Sequence, residues 1–122
     1  MTIVGPMVEK VAQSEARAAL ERIRDDLALS DLELADMFQT TQSNIHQYLQ
    51  VKSPLPRGLA IQVKDSLQWL AKLELLIERD RVAQVIRRPS PLFSDRCAIE
   101  LIAEGRIAHV VDAYDRLLNF AP

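Results

Sequence analysis

A chain of 122 residues with 48% hydrophobic and 26% charged positions can bury one core, and it is too evenly mixed for a fibrous or disordered class. Three glycines standing far apart at 5, 58 and 105 exclude the clustered-glycine loops that cradle phosphates and dinucleotides, and a single cysteine excludes an internal disulfide and points to a reducing compartment. The formal net charge is −2, and residues 1–58 hold six Lys/Arg against eight Asp/Glu. Affinity for the DNA backbone comes chiefly from Lys/Arg contacts, so a single subunit is expected to bind DNA weakly and two or more are required on one site. Met1 to Lys10 has neither a basic leader nor a long apolar run, and no stretch of about 18 apolar residues occurs, so the expectation is a cytoplasmic protein without a signal peptide or membrane span.

Strand alternation is absent and helical spacing prevails, which predicts an all-α fold. Ala16, Leu20, Ile23 and Leu27 share one face of a first helix over about 9–28, with Arg17, Glu21 and Arg24 outward. Ser30 and Glu33 have the spacing of a capping box that opens a short helix over 31–38. Thr41 caps the next helix, 42–50, by accepting from the backbone N–H of Ser43 or Asn44. Residues 51–58 (VKSPLPRG) carry two prolines and read as a rigid connector. Val63, Leu67, Leu70, Leu73 and Ile77 fall on one stripe of a long helix over about 59–77, and Trp69 and Leu76 widen it enough for more than one neighbour. Asp80 is the expected cap of a further helix to Arg87, which Pro89 and Pro91 stop. Ser94 and Asp95 are the expected caps of a helix over 95–104 ending at Gly105, and a last helix runs over about 106–119. Two units follow: a helix-turn-helix domain over 9–78 and a helical partner-binding domain over 79–122.

Residues 31–50 (DLELADMFQTTQSNIHQYLQ) meet the packing demands of a helix-turn-helix. Ala35 is the small residue where the two helices cross, and Ile45 follows it ten positions later. Leu34 and Phe38 on the first helix face Ile45, Tyr48 and Leu49 on the second. With that pattern the segment resembles the lambda-repressor-like, or Xre, family of bacterial regulators. Gln39 departs from the glycine usual in the turn, and a left-handed Gln costs about 1 kcal/mol relative to Gly. Thr41, Gln42, Ser43, His46, Gln47 and Gln50 are left pointing outward. Gln pairs bidentately with adenine, and Ser and Thr reach bases or phosphates. Gln42 and Ser43 stand at the helix N-terminus, which enters the major groove in such proteins and favours phosphate. Lys52 and Arg57 are candidates to hold the flanking backbone. The plainer alternative is a helical hairpin with a polar outer face, in which His46 is an ordinary solvated histidine.

The C-terminal third carries a second pattern: VIRRPSPLF, then SDRCAIELIAEGR, then a closing VVDAYDRLL. A helix ending before a Pro-x-x-hydrophobic turn, then Ile99-Glu100-Leu101-Ile102, then Gly105 and a last helix, is similar to the toxin-binding domain of Xre/MbcA/ParS-type antitoxins. Cys97-Ala98 stands where that family often has Ser/Thr-Pro. The two resemblances follow one another in the family's order and cover most of the chain beyond about residue 14. They imply a dimeric or larger antitoxin that neutralises a RES-domain toxin, an enzyme that depletes NAD, and represses its own operon by binding operator DNA. On that basis Asp112, Asp115, Arg116, Asn119 and Phe120 are candidates for toxin contact. The plainer alternative makes Asp112 and Arg116 an i,i+4 surface pair and Phe120 an ordinary helix-end hydrophobe.

Nothing here favours catalysis or implies a cofactor. His46 and His109 lie on separate helices with no accompanying ligand cluster, and a metal site needs three or four ligands brought together. Cys97, in the first turn of a helix, reads as a small core residue, and Asp25-Asp26 beside Arg22 and Arg24 as a solvated face. Two rivals remain open: a stand-alone regulator whose C-terminal helices only dimerise or bind another partner, and a pure inhibitor with a degenerate helix-turn-helix, which the acidic N-terminal half favours.

Overall fold

The computed structural model describes the backbone of residues 4–119 and the side chains of residues 10–119. Among these residues the fold is all-α with one two-residue ladder, as the spacing predicts. α1 (Val4–Asp26) buries Ala16, Ala19, Leu20 and Ile23. It begins earlier than the apolar stripe suggests and ends at Leu27-Ala28, where Ala28 turns left-handed (φ 51°). The carbonyls of Leu27 and Ala28 accept from the Arg87 guanidinium at 2.8 and 2.6 Å, so a cation closes the helix end.

α2 (Asp31–Met37) opens on the expected capping box. The Ser30 hydroxyl accepts from the Glu33 N–H at 3.1 Å, and the Glu33 carboxylate accepts from the Ser30 N–H at 2.9 Å. α3 (Gln42–Leu49) follows after a short turn. α4 (Arg57–Leu76) starts two residues before the expected position, because Pro56 occupies the position before the first turn, where its missing N–H costs nothing. Its broad apolar face packs on α1 on one side and on the last helix on the other. Val63, Leu70 and Leu73 are fully buried there.

Two expected caps are corrected. Asp80 is exposed and caps nothing: α5 (Val82–Val85) is a single turn whose entry is satisfied by backbone carbonyls, with the Val82 N–H on Glu78 and the Val85 N–H on Arg81. Ser94 and Asp95 are both left-handed (φ 56° and 66°) and lie in a loop, not at a helix start. That loop joins β1 (Pro89–Ser90), a 3-10 turn (Pro91–Phe93) and β2 (Arg96–Cys97), the strands pairing antiparallel with Pro89 opposite Cys97. The ladder occupies the chain through Cys97, so α6 spans only Ala98–Ala103, with Cys97 as its cap and the Cys97 N–H donating to the Glu100 carboxylate at 3.3 Å.

α6 packs on α2, and Gly105 follows with φ 82°, where a side chain would meet the Met37 carbonyl. α7 (Ile107–Asn119) then returns across α4, burying Ile107, Val110, Val111 and Tyr114, with Tyr114 edge-on to Phe93 at 5.5 Å. The buried side chains of all these helices form one cluster. No helix among the described residues is long and apolar enough to cross a membrane.

Candidate nucleic-acid interface

The pair α2–α3 is sealed from within. Leu34, Ala35, Phe38, Ile45 and Tyr48 are buried and Leu49 is half-buried, which is the clamp the spacing predicts. Ala35 is 1% exposed at the crossing. Its carbonyl accepts from the Thr40 N–H at 2.9 Å, and the turn passes through Gln39 in the left-handed region (φ 55°). Thr41 caps α3 by accepting from the Asn44 N–H at 3.0 Å.

With the apolar residues turned inward, Thr41, Gln42, Ser43, His46, Gln47 and Gln50 are all exposed, and so are Lys52 and Arg57. Asn44 belongs with this group and was missed by counting outward positions. It too is exposed, and its amide donates to the Thr40 hydroxyl at 3.1 Å. Gln47 is oriented by the Ser53 hydroxyl, which donates to its carbonyl oxygen at 3.0 Å. The Gln47 amide nitrogen is then turned to act as a donor.

Three contacts made from α1 and the connector hold this face in place. The Gln13 amide donates to the Leu55 carbonyl at 2.9 Å and accepts from the Leu55 N–H at 2.8 Å. Arg17, expected outward, is instead half-buried, and its Nε donates to the Tyr48 carbonyl at the end of α3 at 2.7 Å. Lys52 and Arg57 are separated by this clasp: Lys52 lines a groove with Lys10 and Arg17, whereas Arg57 lines another with Lys64. Several acids are neutralised within the fold, with Glu15 on Lys64 at 3.2 Å, Asp25 on Arg24 at 2.9 Å and Asp26 on Arg79 at 2.9 Å.

In the C-terminal part, Asp112 and Asp115 are half-buried and Arg116 and Asn119 exposed, while Phe120 lies outside the described residues. Asp112 and Arg116 form no ion pair among the described residues; the Asn119 amide donates to the Asp115 carboxylate instead. Leu117 and Leu118 beside them are 61% and 53% exposed, an apolar surface at the end of the last helix. Cys97 is half-buried with its thiol donating to the Arg87 carbonyl at 3.2 Å.

No family model and no curated protein sequence matches this chain. Among solved structures, it is similar to a chain of the crystal structure of the M. tuberculosis MbcT-MbcA toxin-antitoxin complex, at a TM-score of 0.63 and 14% identity over 87% of this chain and 96% of that one. The likeness covers most of this chain, so its all-α fold is one found in a chain of that complex.

Proposed function

We propose that the protein is the antitoxin of a toxin–antitoxin pair, acting without catalysis of its own. It binds a RES-type, NAD-depleting toxin through its C-terminal helices, and as a dimer or larger assembly it represses its own operon through α2–α3. The observation that carries the DNA half is the exposed polar face of α3, with Gln42, Ser43, His46 and Gln47 presented on a helix clamped from below. Gln side chains on such a helix suit adenine edges in the major groove. The toxin half is supported by the fold likeness to a chain of a toxin–antitoxin complex, and by Leu117, Leu118, Arg116 and Asn119 exposed at the end of α7. An apolar residue of this size contributes about 1.5–3 kcal/mol when buried by a partner. Inhibition needs only such a rigid face and no reactive group.

Co-expression with the product of the adjacent gene tests the toxin half. Co-purification and rescue of growth are expected, and failure of both leaves a stand-alone regulator. A gel shift on the upstream DNA, with Gln42→Ala/Gln47→Ala beside the unaltered protein, tests the DNA half. Equal binding by the double variant would remove base reading from α3.

A further inference from the structure

Between α1 and the connector after α3 lies an open groove of about 610 Å³ where Lys10, Arg17 and Lys52 meet, together with Gln13 and Ser53. Among the described residues no Asp or Glu lines it. In a chain with more acids than bases, three cations on one concavity repel one another, and a bound anion relieves that repulsion. Of the cations outside the groove, Arg22, Arg24, Lys64, Arg79, Arg87 and Arg96 make ion pairs within the fold. Among the described residues Lys10, Arg17 and Lys52 make none, and Arg17 reaches the groove while its Nε is already committed to the Tyr48 carbonyl.

The groove is physically continuous with the outward face of α3. Ser53 lines it and at the same time donates to Gln47, one of the candidate base-reading side chains. A duplex lying against Gln47 therefore runs its sugar–phosphate backbone past Ser53 and onto the three cations. We propose that this groove is a phosphate site for duplex DNA, in which Lys10 and Lys52 clamp a backbone phosphate and Arg17 completes the positive wall. It deepens the reading of α3 as a DNA-reading helix and rests on it. It also accounts for DNA binding by an acidic chain: the charge that matters is gathered locally, and residue 10, far from the helix-turn-helix in sequence, supplies part of it.

The test uses the full chain, fluorescence anisotropy, and two duplexes, one from the upstream region and one of random sequence, between 50 and 200 mM salt. Lys10→Gln/Lys52→Gln is expected to weaken both duplexes at least tenfold, to keep the ratio between them, and to lower the slope of log affinity against log salt by about 1.8 per subunit, two contacts at about 0.9 each. Gln42→Ala/Gln47→Ala is expected to do the reverse, losing the ratio and keeping the slope. An unchanged slope in the lysine variant, with DNA still bound, overturns the phosphate site and leaves α3 reading DNA. No binding of either duplex by the unaltered protein at 50 mM salt overturns both. Titration with inorganic phosphate alone separates the remaining source: saturable binding without DNA, lost in the lysine variant, overturns the duplex assignment in favour of a free-anion site. Both lysines are exposed, so circular dichroism of the variant should match the unaltered protein.

Discussion

Arg17 on α1 and Tyr48 on α3 are joined by one hydrogen bond, the guanidinium Nε donating to the main-chain carbonyl at 2.7 Å. The last carbonyls of a helix have no partner within it, and a cation there satisfies both the acceptor and the helix dipole. Arg17→Leu keeps the half-buried stem and removes the donor. It should cost about 1.5–3 kcal/mol, the range for hydrogen bonds to charged groups. Urea unfolding would read this as a lower midpoint with an unchanged slope. A midpoint equal to that of the unaltered protein would mean that water replaces the guanidinium at no cost.

Gln39 holds the turn between α2 and α3 at φ 55°. A left-handed conformation costs a residue with a Cβ about 1–2 kcal/mol, and Gly adopts it freely. Gln39→Gly should therefore stabilise the protein, by about 0.5–1 kcal/mol once the greater freedom of the unfolded glycine is counted. The same change at Gln42, in the first turn of α3, should destabilise it by about 0.5–1 kcal/mol. Opposite signs at two positions three residues apart are the signature to look for in thermal or urea unfolding.

Local chemistry is what could be read from the residues. Ser30 with Glu33, Thr41 with Asn44, the Ala35–Ile45 spacing and the left-handed Gln39 all act over ten residues or fewer, and all are found as expected. The contacts that hold the outer face of α3 in place were not legible for the opposite reason. Gln13 and Leu55 are 42 positions apart, and Arg17 and Tyr48 are 31 apart, so no local pattern links them. The expected helix over 95–104 failed by competition. Ser94 and Asp95 have capping chemistry, but Arg96 and Cys97, which would form the first turn behind them, pair with Ser90 and Pro89 instead. The helix then starts behind Cys97, a residue type that is not a usual cap.

Ala35 is the small residue of the clamp, 1% exposed where α2 meets α3. Extra methylenes in a packed core cost about 1–3 kcal/mol because the neighbours must leave their rotamers. Ala35→Leu should cost at least that much, and it should separate α2 from α3 before it unfolds the α1–α4 pair. Amide exchange would then quicken in residues 31–50 and stay slow in α4. Uniform loss of protection would place Ala35 in the global core instead of in a local hinge.

Asp26 on α1 and Glu74 on α4 set two carboxylates, 7% and 9% exposed, between Arg22 and Arg79. Burial and the adjacent Asp26 push the Glu74 carboxyl above its ordinary 4.5, and its Oε2 is buried without a hydrogen-bond partner. At Asp26 burial pulls the same way, but the Arg79 and Arg22 guanidiniums donating to it outweigh burial and hold the carboxyl below its ordinary 3.8. The two groups oppose each other in stability. Glu74 binds its proton more tightly in the fold than in the unfolded chain, so its contribution rises as pH falls from neutral through its raised value. Asp26 contributes above 3.8, and that contribution is lost as pH falls through its depressed value. Subtracting the urea midpoints of Glu74→Gln from those of the unaltered protein, from about pH 7 to pH 3, should show a gain on the acid side of neutrality that the variant lacks. Asp26→Asn should in turn flatten the loss at the acid end. Parallel profiles for the Glu74→Gln and unaltered proteins would mean that the carboxyl beside Asp26 titrates as though it were in water.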